Sequence, residues 1–96
     1  MAIIAELSTF PIGKGMSLSK YVKAAVKELE SCDVRVTRGA MGTTIEADDL
    51  DTLFKAVKLA HEAILKLGAK RVYTTLKIDD RRDFDRSAGE KLESIS

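Results

Sequence analysis

Two short segments carry residue types that could hold a small polar ligand. The first, residues 11–17, reads Pro-Ile-Gly-Lys-Gly-Met-Ser and precedes a predicted helix. Free backbone N–H groups at a helix N-terminus can bind an anion or the polar edge of a ligand, and glycines allow a close approach. The spacing matches neither a P-loop nor a dinucleotide-binding fingerprint, so a plain tight turn is the commoner interpretation of this segment.

The second segment, residues 41–46, reads Met-Gly-Thr-Thr-Ile-Glu at the start of a predicted strand. The carboxylate of Glu46 beside the hydroxyls of Thr43 and Thr44 could bind an amine, an aminopyrimidine ring or a cation. Threonine and glutamate are also ordinary residues on an exposed strand. The segment therefore indicates a site only in combination with other features.

The remaining reactive side chains favour structural roles. His61 lies on the apolar stripe of a predicted helix, which is typical of a partly buried structural histidine. Cys32 is the single cysteine and has no basic neighbour that would activate its thiol, so a small core residue is expected. The run at residues 79–83 is a charged segment whose arginines are solvated or pair with carboxylates across an interface. We expect no catalytic residue, no metal site and no cofactor.

The length and the net charge of the chain exclude several classes of protein function. A chain of 96 residues predicts one domain over residues 1–96. Lys and Arg number 16 against 15 Asp and Glu, so the chain lacks the basic field that nucleic acid requires. No run approaches the roughly 20 apolar residues of a membrane span, and no secretory signal is recognisable. We expect a cytoplasmic protein without a nucleic-acid or membrane partner.

Apolar periodicity and turn residues predict the order strand, helix, strand, strand, helix, strand. The predicted strands are residues 2–10, 34–37, 43–47 and 71–79; the first helix ends near residue 31 and the second covers residues 50–67. Ser17 or Ser19 is expected to cap the first helix, Asp48 or Asp49 to cap the second, and Gly68 to end it. Ser87 and Glu90 could form a capping box for a short C-terminal helix.

This order is the split βαβ arrangement of ferredoxin-like folds, an α+β sandwich. Right-handed crossovers place both helices on one face of a four-stranded antiparallel sheet. The other face is either solvated or meets another subunit, and it carries Ile4, Glu6, Ser8, Phe10, Arg35, Thr37, Thr44, Glu46, Tyr73, Thr75 and Lys77. The tail, residues 80–96, is expected to dock in an oligomer.

A set of segments in a fixed order extends over nearly the whole chain: Phe-Pro-Ile-Gly at 10–13, Ser-Leu-Ser-Lys-Tyr-Val at 17–22, Met-Gly-Thr-Thr-Ile-Glu at 41–46, Gly-Ala-Lys-Arg-Val at 68–72, Lys-Ile-Asp at 77–79 and Arg-Arg-Asp at 81–83. In this order and spacing they resemble the thiamine-binding family of small ferredoxin-like proteins, the YkoF-like group. The resemblance implies a non-enzymatic protein that binds thiamine or its hydroxymethylpyrimidine moiety. It also implies homo-oligomers, often tetramers built as dimers of dimers.

The ligand contacts that the resemblance implies are Ser8, Ser17, Ser19, Tyr21, Met41, Gly42, Thr43, Thr44 and Glu46. In such a site the carboxylate of Glu46 would pair with a protonated ring nitrogen or accept from the exocyclic amine of the pyrimidine. Met41 or Tyr21 would cover a face of the ring through sulfur or aromatic contact.

Three other functions remain open at the level of sequence. A small acylphosphatase-like hydrolase has the same fold, but the first loop carries Lys14 and no arginine. RNA binding through the open sheet face needs stacking aromatics, and only Phe10 and Tyr73 are candidates. A structural or regulatory oligomer with an unrelated small-molecule ligand is the third.

Overall fold

Seven elements follow one another in the computed structural model, which describes residues 2–15, 18–83 and 88–95. They are β1 (Ile3–Pro11), α1 (Ser19–Glu30), β2 (Arg35–Arg38), β3 (Thr43–Ala47), α2 (Leu50–Lys66), β4 (Val72–Asp80) and α3 (Ala88–Ile95). The strands form one antiparallel sheet in the order β2-β3-β1-β4. This confirms the predicted ferredoxin-like fold with its short C-terminal helix.

The core lies between one face of the sheet and the apolar stripes of α1 and α2. Alternate residues of β1 point into it, because successive side chains of a strand face opposite sides. Its largest fully buried side chains are Ile3, Leu29, Ile45, Leu53 and Ile64. Burying each of them contributes about 1.5–3 kcal/mol, which fixes the positions of the two helices over the sheet.

The ends of α2 follow the sequence signals, and the start of α1 does not. The carboxylate of Asp49 accepts the Thr52 backbone N–H at 2.7 Å, and Gly68 follows the helix with φ of 98°. The N-cap of α1 is Leu18, without a side-chain cap. The prediction that Ser19 caps α1 is therefore wrong, since Ser19 is the first helical residue, and Ser17 lies outside the described residues.

Helix α3 contacts the sheet face opposite α1 and α2. Its first backbone N–H, that of Ala88, donates to Glu46 Oε1 at 2.9 Å, and Lys91 forms an ion pair with Asp79. The predicted capping box involves Ser87 and the side chain of Glu90, which lie outside what the structure describes. Leu92 and Ile95 remain exposed on α3, so docking of the tail in an oligomer stays a prediction.

The charged run after β4 pairs internally. Arg81 Nε donates to Asp83 Oδ1 at 2.8 Å, and Arg82 Nη2 donates to Asp80 Oδ2 at 2.7 Å. These hydrogen bonds raise the pKa of both arginines above its ordinary value. Across the part of the chain that the structure describes, no helix has both the length and the hydropathy that crossing a membrane requires.

Candidate functional site

Strand β1 is longer than one of its two neighbours, and a cavity lies where that neighbour ends. β1 pairs with β4 from Ile3 to Pro11, but with β3 only from Ile3 to Leu7. Beyond Leu7, a cavity of about 290 Å³ lies between this edge, α1 and the β2–β3 turn (residues 39–42). We call it the edge cavity. Its volume is at the lower end of the roughly 300–1,000 Å³ typical of small-molecule sites.

The edge of β1 presents unpaired backbone groups to the edge cavity. Just outside the two ends of β1, the hydrogen bonds on the β4 side involve even-numbered residues. Ile12 N–H donates to Arg71 O at 2.9 Å, and Arg81 N–H donates to Ala2 O at 3.1 Å. Bonding direction alternates along an antiparallel strand, so the N–H and C=O of Thr9 point away from β4. The pairing of β1 with β3 ends at Leu7, and no other backbone hydrogen bond reaches either group among the described residues. Pro11, which has no N–H, is tolerated on the same edge.

One wall of the edge cavity is apolar and comes from α1. Its side chains belong to Leu18, Val22, Ala25, Val26 and Leu29. These residues are apolar and spaced by three or four along α1 and its N-cap, so they lie on one side of the helix. Since β3 does not extend beneath them at this end, part of the stripe faces the cavity. An apolar wall of this kind can cover the face of a flat ring.

The β2–β3 turn forms the opposite rim. Gly39 N–H donates to Gly42 O at 2.9 Å, and a Cβ at Gly39 would lie only 2.7 Å from that oxygen. A Cβ at Gly42 would lie 3.1 Å from Cγ of Glu6. Both positions therefore favour glycine, and the turn approaches β1 closely. Met41, at its tip, lines the cavity while being 90% exposed.

A chain of hydrogen bonds leads from the edge cavity to α2. The hydroxyl of Thr9, a cavity-lining residue, lies 2.7 Å from Thr74 Oγ1 on β4. Thr74 Oγ1 in turn lies 2.6 Å from Nδ1 of His61 on α2. The half-buried histidine that the sequence assigns to the helix stripe is thus connected to a residue of the cavity.

The structure brings four of the nine predicted contact residues together around the edge cavity. They are Ser8, Met41, Gly42 and Thr43. Two of the others take other places in α1. Ser19 is exposed in its first turn. Tyr21 is 4% exposed in the core, with Lys20 Nζ 5.0 Å from its ring centroid.

Thr44 and Glu46 lie on the opposite face of the sheet. Glu46 is 3% exposed, because α3 covers it and donates the Ala88 N–H to its carboxylate. Its second oxygen lies 3.9 Å from Nε of Arg35. Thr44 lines a shallow depression of about 220 Å³ beside α3. The charges of this depression are paired, Lys77 with Glu6 and Lys91 with Asp79.

Thr9 and the α1 wall are not among the contacts predicted from the sequence. The predicted strand lengths did contain a usable signal. The first strand is predicted over nine residues and the third over five, so one edge of the first strand must extend beyond its neighbour. An unpaired strand edge beside a helix is where backbone groups are available to a ligand.

The described residues thus form a ferredoxin-like domain with a cavity between an unpaired strand edge and an apolar helix. The chain belongs to the thiamine-binding protein family, which matches residues 5–96. This membership indicates a binding role.

Relatives and solved structures agree with this assignment. A UPF0045 protein of Methanothermobacter thermautotrophicus is 56% identical over 94 residues, covering 97% of this chain and 95% of the relative. The crystal structure of a hypothetical protein from Methanocaldococcus jannaschii is 44% identical, covers 99% of this chain and 97% of that one, and superposes with a TM-score of 0.89.

A more distant structure shows the fold alone. It is a Thermotoga maritima protein assigned provisionally to thiamine biosynthesis or salvage. It is 19% identical, covers 98% of each chain and has a TM-score of 0.80.

Proposed function

We propose that this protein binds thiamine or a related hydroxymethylpyrimidine in the edge cavity, without catalysing a reaction. The observation that carries the proposal is the unpaired N–H and C=O of Thr9 opposite an apolar helical wall. Family membership supports the ligand class, as does the thiamine-related role assigned to the Thermotoga maritima protein.

The chemistry of an aminopyrimidine suits this arrangement. The ring is flat, and its edge alternates ring-nitrogen acceptors with an exocyclic amine donor. A strand edge offers a backbone donor and acceptor side by side, so it can pair with that edge as a further strand would. Val22 and Val26 on α1 would cover one face of the ring, and the flexible thioether of Met41 would close the other side.

The hydroxyl of Thr43 would add a polar contact at the rim of the cavity, and Ser8, whose side chain lies on the open sheet face, would line it through its backbone. In this proposal Glu46 holds α3 and does not contact the ligand. Ser17, in the loop that leads into α1, and Ser19, in the first turn of α1, stay predicted contacts. The edge of β1, and not the carboxylate of Glu46 predicted from the sequence, is therefore the proposed contact of the amine.

We further propose a cytoplasmic homo-oligomer, built as a dimer of dimers through the open sheet face and α3. Leu92 is 64% and Ile95 79% exposed on α3. Phe10 and Tyr73 stack on the same sheet face with ring centroids 5.7 Å apart. A small domain gains buried apolar area by covering such groups with a second copy.

The binding proposal is tested by filling the edge cavity. Val22 lines the cavity yet is 40% exposed, so Val22→Phe would place a ring there with little cost to the core. The matched control is Lys23→Phe, which adds the same ring at the exposed neighbouring position. We expect Val22→Phe to weaken thiamine binding at least about tenfold, and Lys23→Phe to leave it within twofold.

Equal affinities of the two variants would place the ligand elsewhere. The same preparations should be assayed for hydrolysis of an acyl phosphate. Turnover by the wild type would contradict the proposed absence of catalysis and favour the acylphosphatase-like alternative.

A further inference from the structure

The hydrogen-bonded chain from His61 through Thr74 to Thr9 fixes how one hydroxyl of the edge cavity can bond. We propose that His61 and Thr74 are positioning residues that hold the Thr9 hydroxyl as a hydrogen-bond acceptor, and thereby select an amino substituent over an oxo substituent on a bound pyrimidine. This inference rests on the proposed function, since it concerns the ligand of the same cavity.

The three side chains come from three different elements and meet in the core layer. His61 lies on α2, Thr74 on β4 and Thr9 on β1, and all three are half-buried. Thr9 and Thr74 face each other directly in the strand register. Cross-strand threonine pairs stabilise sheets by themselves, but the hydrogen bond of such a pair can run in either direction. The bond to His61 removes that freedom.

The direction of the chain starts at His61. Nδ1 of His61 and Oγ1 of Thr74 are 2.6 Å apart, and the tautomer of the imidazole decides which of the two atoms donates. In the proposal the imidazole carries its proton on Nε2, so Nδ1 accepts from the Thr74 hydroxyl. A hydroxyl has one proton, so Thr74 can only accept from Thr9, and the 2.7 Å bond between them uses the proton of Thr9.

Thr9 is left with lone pairs and no proton for a ligand. In the edge cavity it presents an acceptor, which can receive an N–H of an exocyclic amine. An oxo group at the same ring position would bring two acceptors together, and neither could supply a proton. A site whose polar groups are fixed in this way discriminates more strongly than one whose hydroxyls rotate freely, because the wrong ligand leaves them unpaired.

The test compares the dissociation constants of thiamine and of oxythiamine, its analogue with an oxo group in place of the 4-amino group. We expect the wild type to bind thiamine more tightly. His61→Leu and Thr74→Val should lower the ratio of the two constants about fivefold, the equivalent of one neutral hydrogen bond. His61→Asn should restore the ratio to within twofold of the wild type, because its amide oxygen can accept from Thr74 as Nδ1 does.

Thr75→Val is the matched control, since Thr75 lies on the same strand but pairs with Ser8 on the open sheet face. An unchanged ratio in His61→Leu and Thr74→Val would overturn the inference and leave thiamine binding intact. A wild type that binds neither compound would instead contradict the proposed function, and the inference with it.

A ligand-independent measurement tests the direction of the chain in the wild type. Long-range ¹H–¹⁵N correlation of His61 should show the tautomer that carries its proton on Nε2. A proton on Nδ1 would make the imidazole the donor and overturn the assignment, even if a variant failed to fold.

Discussion

Backbone atoms of a single residue, Thr9, carry the proposed site. Its side chain faces the core layer, while its N–H and C=O extend past the end of β3. Such a contact does not depend on the side chain, so the hydroxyl and carboxylate residues of the sequence do not indicate where it lies. Conversely Glu46, the most conspicuous candidate, is engaged by α3.

Gly39 offers a test of the turn that closes the cavity. A methyl group at this position would lie 2.7 Å from the Gly42 carbonyl oxygen, so Gly39→Ala must displace the turn. We expect a loss of about 1–3 kcal/mol in the free energy of unfolding, as for overpacked sites, and weaker thiamine binding. Urea denaturation and calorimetry measure the two effects.

The control for that variant is Lys70→Ala, at an exposed position of the turn between α2 and β4, away from the edge cavity. It should change neither quantity. Normal stability in Gly39→Ala would contradict the close approach of the turn to its own closing carbonyl.

Helix α2 is the element whose bounds were most predictable from sequence. Asp49 and Gly68 are strong start and stop signals because each satisfies backbone groups at a helix end. The start of α1 was less predictable, since two serines were available and the structure uses Leu18 instead. The site of α3 could not be predicted, because it depends on contacts with Glu46 and Asp79 that are distant in sequence.

The cap of α2 predicts a pH dependence of stability. Hydrogen bonds from the backbone and side chain of Thr52 lower the pKa of Asp49 from its ordinary value of 3.8. A carboxyl with a lowered pKa in the folded state stabilises that state above its unfolded pKa, and loses this effect as pH falls through the folded value. Asp49→Ala should therefore be less stable than the wild type at neutral pH, with the difference shrinking in acid.

Asp49→Asn retains a capping oxygen and serves as the control. Its difference from the wild type at neutral pH should be smaller than that of Asp49→Ala. Thermal unfolding at several pH values measures both variants. A difference in stability between the wild type and Asp49→Ala that increases toward low pH would contradict this prediction.

Two roles of Glu46, holding α3 or contacting the ligand, can be distinguished by measuring the protection of α3. If its carboxylate holds α3 through the Ala88 N–H, Glu46→Ala should increase amide hydrogen exchange in α3 and leave thiamine affinity within about twofold. Glu46→Gln, which keeps an acceptor oxygen, should exchange more slowly than Glu46→Ala. A large loss of thiamine affinity with normal protection of α3 would restore the ligand role that the sequence suggested.

In the whole molecule, the alternation of side chains along β1 and β4 predicts which face of the sheet carries the core. The structure places the core on that face. The open face is only partly covered by α3. The assembly stays a prediction, since it depends on how exposed groups of two copies fit together.

The assembly is tested by placing charge on α3. Leu92→Glu should reduce the oligomer mass measured by light scattering, because the exposed Leu92 would otherwise meet a second copy. Leu67→Glu, at an exposed leucine after α2, is the control and should retain the wild-type mass. A monomeric wild type would contradict the proposed oligomer.

We propose that this chain binds a thiamine-type pyrimidine in the edge cavity. Titration calorimetry of the wild-type protein with thiamine is the decisive measurement, at two temperatures so that a small enthalpy at one of them does not conceal binding. We predict saturable heat with one ligand per chain at sub-millimolar concentrations, and its loss in Val22→Phe. The absence of heat at both temperatures with thiamine and with hydroxymethylpyrimidine would contradict the claim.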